Sequence, residues 1–184
     1  MVKCLSIILT LIVVLASSSK AEPATSLMSA ISQIDADVIF MRHALAPGFG
    51  DPAGFELGDC STQRNLDANG RSQAKLIGRK LLTSGIHFRE ILSSEWCRCR
   101  ETASLLKIGK WKVFSGLNSF FQNYADKDET LDILNSKLNQ MEGGVTLMVS
   151  HQIVIRTITG SSTRSGELVV FNTKTKAFKN IILD

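Results

Sequence analysis

Long runs of basic residues are missing from this chain, and so are long apolar spans, internal repeats, low-complexity tracts and clusters of metal-binding side chains. Each absence removes a class of protein. With a formal net charge of only +4 and no Lys/Arg run, nucleic acid binding has no support. The longest apolar run, Leu5 to Ala16, is about a dozen residues, against the roughly 20 that a membrane-spanning helix needs. Histidine is scarce, with three in 184 residues. The Cys97-Arg98-Cys99 pair has no histidine near it, which makes a poor zinc site. No metal and no cofactor is therefore expected.

What is present begins with a leader. Lys3 precedes the apolar run, and Ser17-Ser18-Ser19-Lys20-Ala21 puts small residues at the −3 and −1 positions of a cleavage point after Ala21. This is the pattern of a secretory signal over residues 1–21, with a membrane anchor as the competing reading. Cys4 lies before the apolar run with no lipobox-like arrangement after it, so a lipoprotein is not expected. Cleavage would remove Lys3 and Lys20 and no acid, lowering the net charge from +4 to +2. Residues 22–184 then form one domain, long enough to bury a core. A periplasmic or secreted location follows, with no stable membrane span once the leader is gone. The mature chain keeps Cys60, Cys97 and Cys99. In an oxidising compartment an odd number suggests one disulfide and one free thiol. Cys97 and Cys99 are two apart on a predicted helix and point in different directions. The bridge is expected from Cys60 to either of them.

Strand and helix patterns alternate along the domain. A short helix is expected over Thr25 to Ile34 and a first strand over Asp37 to Met41. Ala44 to Leu66 is a long loop punctuated by Pro47-Gly48, Gly50-Asp51-Pro52, Gly54 and Gly58, and a loop this long in a compact domain is usually functional or mobile. Asp67 can cap a helix running to about Ser84, with Ala74, Ile77, Leu81 and Leu82 on one face and Gly85 at its end. Further strands are expected at Glu90 to Ser93, Trp111 to Phe114 and Val145 to Ser150, with a helix over Cys97 to Lys107. Gly116 to Glu129 reads as irregular, and Leu131, Leu134 and Leu138 have helical spacing. Glu167 to Asn172 and Ala177 to Leu183 read as a terminal hairpin on one sheet edge. The alternation predicts a three-layer α/β/α sandwich with a mainly parallel central sheet.

Two of the three histidines end apolar strand-like runs. His43 closes Val38-Ile39-Phe40-Met41-Arg42-His43, and His151 closes Val145-Thr146-Leu147-Met148-Val149-Ser150-His151. In an open parallel sheet the C-terminal strand ends line one crevice where ligands bind. Two imidazoles and Arg42 gathered there suit chemistry on an anion, a phosphate first of all. His87 follows a predicted turn and is expected to be exposed and uninvolved.

Several short strings, in order, carry a more specific resemblance. Arg42-His43 comes first. Leu66-Asp67-Ala68-Asn69-Gly70-Arg71-Ser72-Gln73-Ala74 resembles the L-[ST]-x-x-G-x-x-Q-A segment of the histidine phosphatase superfamily, the branch that includes phosphoglycerate mutases. Ser94-Glu95-Trp96-Cys97-Arg98-Cys99-Arg100-Glu101-Thr102-Ala103 resembles its S-x-x-x-R-x-x-[QE]-T-A segment, and Val149-Ser150-His151 its closing strand and histidine. The resemblance implies a phosphoglycerate mutase-like fold. It implies that His43 is the nucleophile, forming a phosphohistidine, and that Arg42, Arg98 and His151 hold the phosphoryl oxygens. Arginine suits that role, since its planar fork of donors fits phosphate oxygens. A backbone carbonyl is expected to fix the tautomer of His43, and His151 is expected to be protonated. Arg64 and Asn65 are candidates for additional substrate contacts.

This chain departs from the family pattern in two places. Ala44 stands where the family usually has glycine. Many members carry a glutamate proton donor after a leucine, but here the region reads Leu117-Asn118-Ser119-Phe120-Phe121. Asp126, Asp128 and Glu129 are the candidate replacements, with Asp51, Glu56 and Asp59 of the first loop as alternatives. Without an acid, good leaving groups would be favoured. The expected activity is a metal-independent phosphoric monoester hydrolase acting on a phosphorylated sugar or cell-envelope substrate, with a small phosphate monoester or phospho-glycan as partner. The alternatives are a phosphohistidine protein phosphatase and a weakly catalytic phospho-glycan binding protein.

Overall fold

A computed structural model describes residues 27–183 of the protein. The leader assigned to residues 1–21 lies outside the described residues. Helix α1 (Leu27–Ile34) leads into β1 (Val38–Arg42), followed by α2 (Ala68–Thr83), β2 (Phe88–Ser93), α3 (Cys97–Leu106) and β3 (Lys112–Val113). Then come α4 (Lys127–Asn139), β4 (Val145–Ser150), α5 (Gln152–Thr159), β5 (Leu168–Phe171) and β6 (Phe178–Ile181). The six strands form one sheet in the order β3-β2-β4-β1-β5-β6. β3, β2, β4 and β1 pair in parallel, while β5 runs antiparallel to β1 and β6 antiparallel to β5. The expected hairpin thus extends one edge of a mainly parallel sheet.

Period-two alternation along the strands splits the core into two layers. Ile39, Met41, Ile91, Leu147, Val149, Leu168 and Val170 face one side, where α1, α2 and α3 pack. Val38, Phe40, Leu92, Met148, Val169 and Phe171 face the other, against α4 and α5. The result is the three-layer α/β/α sandwich. Strands buried on both faces carry no polar stripe, which is why they read as continuous apolar runs.

Local chemistry sets the helix ends. Asp67 caps α2 by accepting from the Gly70 N–H at 2.7 Å. Ala74, Ile77 and Leu81 are buried on its inner face, but Leu82 is 59% exposed and lies off that face. Gly78 lets α2 pass directly over α3, since a Cβ there would sit 2.1 Å from the Leu106 carbonyl oxygen. Gly70 does the same for the start of the long loop, with the Leu45 carbonyl oxygen 1.9 Å from a built Cβ. The stretch read as irregular, 116–129, contains short 3-10 turns at Ser115–Leu117 and Phe121–Asn123 before α4 begins at Lys127. The strand expected over Trp111 to Phe114 shortens to Lys112–Val113 on the sheet edge.

Candidate active site

β1 and β4 are neighbours in parallel register, with Arg42 opposite Ser150. His43 and His151 therefore leave the sheet side by side, and the His43 N–H donates to the Ser150 carbonyl at 3.0 Å. Their ring centroids lie 5.5 Å apart, and both side chains are almost completely buried. They line a cleft of about 270 Å³ together with Arg42, Arg64, Arg98 and Asp51. Phe49, Phe121, Gln152 and Arg156 also face it.

His43 has a defined tautomer. Its Nδ1 lies 2.7 Å from the Ala44 carbonyl oxygen, which can only accept, so Nδ1 carries the hydrogen and Nε2 keeps its lone pair. The turn that presents it is held by the Ala44 N–H donating to Thr102 Oγ1 of α3 at 3.1 Å. Burial first, then the positive charge of Arg98, push the His43 pKa well below its ordinary value. The ring is thus neutral at physiological pH, as a nucleophile must be.

His151 is also held neutral, contrary to the expectation of a protonated ring. Arg98 Nη2 donates to its Nδ1 at 3.3 Å, which forces the hydrogen onto Nε2. Ser94 Oγ lies 2.9 Å from that Nε2 and donates onward to Asn118 Oδ1 at 3.1 Å. Burial, Arg98 and His43 lower its pKa well below the ordinary value. The first turn of α5 starts at the next residue, and its positive end also disfavours a cation there.

Arg42 donates through Nη1 to Gln152 Oε1 at 2.8 Å and to the Thr163 carbonyl at 2.7 Å. Arg98, buried on α3, forms a two-pronged ion pair with Asp51, with Nη1–Oδ1 at 2.7 Å and Nη2–Oδ2 at 3.1 Å. Each of these arginines also keeps a buried Nε–H without a partner. Arg64 reaches back to its own loop, donating from Nε to the Gly50 carbonyl at 2.7 Å and from Nη1 to the Ala46 carbonyl. Arg100, the neighbour competing with Arg98 in the sequence, is exposed and lines a separate hollow.

The structure thus brings His43, Arg42, Arg98, His151 and Arg64 to one cleft and leaves other candidates outside it. Asn65 lines the hollow beside the disulfide and spends its side-chain amide on the Cys60 and Gln63 carbonyls. Asp126 caps α4 by accepting from the Glu129 N–H at 2.8 Å, and Asp128 and Glu129 lie exposed in the first turn of that helix. None of the three lines the cleft, because the stretch that carries them begins a helix on the flank of the sheet. Among the first-loop alternatives, Glu56 is exposed, Asp59 caps a 3-10 turn, and only Asp51 reaches the cleft. Asn118, where the family's acid is missing, bonds Ser94 and Glu95 instead. Cys60 pairs with Cys97, which resolves the choice between Cys97 and Cys99. Cys99 is a buried free thiol whose pKa burial pushes up to about 12, so it is inert. His87 is exposed, as expected. Among the described residues no three His, Cys, Asp or Glu side chains gather into a metal site.

Residues 38–117 match the family described as the histidine phosphatase superfamily (branch 1). The chain is 35% identical over 85 residues to an uncharacterized protein of Picosynechococcus sp., a stretch covering 44% of this chain and 48% of that protein. The match thus spans about half the length of that curated relative. Similar solved structures include a protein histidine phosphatase SixA complexed with tungstate (TM-score 0.52, 17% identity, 79% of this chain and 94% of that one). Another is the open reading frame Rv3214 of Mycobacterium tuberculosis (TM-score 0.58, 15% identity, 79% and 95%). A third is a phosphoserine phosphatase of Entamoeba histolytica in complex with 3-phosphoglyceric acid (TM-score 0.56, 15% identity, 80% and 95%). The match supports the histidine phosphatase superfamily for residues 38–117, and the chain has a phosphoglycerate mutase-like fold. The family match contains His43 and Arg98 and ends before His151, which the sheet register supplies.

Proposed function

We propose that this protein is a phosphatase enzyme, a phosphomonoesterase that works through a phosphohistidine at His43. The observation that carries the reading is a neutral imidazole with its Nε2 lone pair free, flanked in one cleft by Arg42 and Arg98. Both arginines line the cleft and bring to it the positive charge that an anion there would meet. In this mechanism His43 Nε2 attacks phosphorus and forms a P–N bond as the bond to the leaving oxygen breaks. Water then attacks the phosphohistidine, releasing inorganic phosphate and restoring the imidazole. Phosphoryl transfer of this kind depends mainly on positioning and charge stabilisation. Arg42, Arg98 and the N–H groups opening α5 supply the charge, and the Ala44 carbonyl keeps the Nδ1 hydrogen in place.

The cleft lacks an acid ready to donate. Its carboxylate, Asp51, accepts four hydrogen bonds and has its pKa lowered by the Arg98 guanidinium despite the opposing effect of burial. Leaving groups that depart without help are therefore favoured, such as a sugar 1-phosphate or an aryl phosphate. The mouth carries Phe49, 89% exposed, edge-on to Phe121, with Arg156 beside them. An aromatic wall and a cation suit the apolar face and hydroxyls of a phosphorylated sugar, or a phospho-glycan of the cell envelope. The leader-like N-terminus and the Cys60–Cys97 disulfide support a periplasmic or secreted location. Phosphohistidine on a protein is the second reading, favoured by the lack of a free acid. A binding protein with little turnover is disfavoured by the unencumbered Nε2 of His43.

The test is hydrolysis of p-nitrophenyl phosphate in chelator by residues 22–184 and by the His43→Ala variant. Turnover lost only in the variant is the expected result. Equal turnover in a folded His43→Ala protein would remove His43 as nucleophile.

A further inference from the structure

Asp51 lies on the long loop, 47 residues before Arg98 in sequence, yet its carboxylate is among the most completely bonded groups near the cleft. Its side chain is 5% exposed. Oδ1 accepts from Arg98 Nη1 at 2.7 Å and from the Arg64 N–H at 3.0 Å. Oδ2 accepts from Arg98 Nη2 at 3.1 Å and from Trp96 Nε1 at 3.1 Å. Two arrangements of this kind have opposite consequences. A carboxylate can occupy the place of the substrate's phosphate, and must then be displaced. Alternatively it can clamp the back of the arginine, and must then stay.

Three observations favour the clamp. Trp96 is 1% exposed and does not line the cleft, so besides its contacts to Arg98 the Asp51 carboxylate is anchored to a core indole. The cleft of about 270 Å³ remains open with Asp51 in place, enough for a phosphoryl group beside His43. The loop is tied down independently, by the Cys60–Cys97 disulfide one residue before Arg98 and by Arg64 reaching the Gly50 carbonyl. A guanidinium on a flexible stem loses little further freedom on binding an anion when it is already held in one plane.

We infer that Asp51 is a positioning residue for the phosphoryl group: its two-pronged contact, braced by Trp96 and the Arg64 N–H, fixes the Arg98 guanidinium against His151 and beside His43. This rests on the phosphatase reading for its meaning in turnover, but its direct consequence is for oxyanion binding, which needs no chemistry. Asp51 is therefore not the proton donor that this chain lacks, and it acts only through Arg98.

The experiment measures binding of inorganic phosphate and of tungstate by calorimetry to the wild type, Asp51→Asn and Asp51→Glu, alongside hydrolysis of p-nitrophenyl phosphate. Asp51→Asn should weaken oxyanion binding about tenfold or more. It should lower kcat more than it raises KM, because the misaligned donor matters most as charge develops in the transition state. Asp51→Glu, which keeps the charge, should recover much of both. A merely structural role would lower the unfolding midpoint and leave the affinity of the folded protein unchanged. Unchanged or tighter oxyanion binding in Asp51→Asn overturns the inference, tighter binding meaning that the carboxylate occupies the phosphate's place. Should Asp51→Asn not fold, Trp96→Phe removes one brace from the same carboxylate and should weaken binding about threefold, and unchanged affinity there overturns it equally. If the wild type binds oxyanions but hydrolyses nothing, the phosphatase reading fails while the binding comparison still decides the role of Asp51.

Discussion

Replacing Arg98 by methionine should separate what this residue does for the fold from what it does for an anion. The side chain is 3% exposed, and its removal strands the Asp51 carboxylate, itself 5% exposed. Breaking one partner out of a buried ion pair typically costs about 3–5 kcal/mol, because the remaining charge is left without its counter-ion. Asp51 would still accept from Trp96 Nε1 and the Arg64 N–H, so the lower end, about 3 kcal/mol, is expected. Methionine fills most of the volume, which keeps the packing loss small. The double variant Arg98→Met with Asp51→Asn removes the stranded charge and should regain about 2 kcal/mol of that loss. Neither variant should bind phosphate as the wild type does. Arg100→Met, one residue pair away on the exposed face, should stay within about 0.5 kcal/mol of the wild type. The assay is urea denaturation at pH 7 with phosphate titration on the same samples. A loss under about 1 kcal/mol in Arg98→Met, or a double variant no more stable than the single, would refute the claim that Arg98 and Asp51 are mutually dependent buried charges.

Two further outcomes are expected. Stability should fall as the pH drops below about 6.5, the ordinary histidine pKa, since His43 and His151 are buried neutral with lowered pKa values and only the unfolded chain takes up their protons. The limiting slope is about 2.7 kcal/mol per pH unit for two such groups, and urea midpoints that stay level between pH 7 and pH 5 would contradict it. Reducing the Cys60–Cys97 bridge, which closes a sequence separation of 37 residues, should cost up to about 4 kcal/mol by the chain-entropy estimate. Thermal melts with and without dithiothreitol measure this, and coincident melts would show that the bridge does not contribute.

The sequence carried the sheet and the site to different depths. Strands such as 38–42 and 145–150 were legible because burial on both faces leaves an uninterrupted apolar run. Asp67 and Gly85 marked the ends of α2 by their own capping chemistry. Helix α5 was not legible. Its core, Ile153-Val154-Ile155, is β-branched and reads as strand, and only packing of Val154 and Ile155 against the sheet holds it helical. Missing α5 meant missing Gln152, which holds Arg42. At the site, the residues at strand ends and in the helix motif were found, because regular structure fixes where they go. Asp51 appeared only as one acid among several in a loop. Its partnership with Arg98 depends on how residues 44–65 fold back, and no periodicity records that. The same holds for Asn65 and for Asp126, Asp128 and Glu129, whose composition suited the chemistry but whose local turns and caps claimed them.

The neighbouring β1 and β4 strands end one residue before His43 and His151. The sheet therefore acts as a ruler for the chemistry. Parallel strands keep a spacing of about 4.8 Å through their backbone hydrogen bonds, which starts the two side chains as neighbours, and their rings stand 5.5 Å apart, centre to centre. The main chain fixes where the two residues start, and the Ala44 carbonyl, Arg98 and Ser94 fix how their rings are turned. Substitutions in the core layers will change how often the ruler is assembled before they change the length it marks. The loop over the cleft is free of that constraint except where Ala44, Asp51, Cys60 and Arg64 are tied to the site, so its other positions can be rewritten toward a new leaving-group pocket while the two strand ends keep their places.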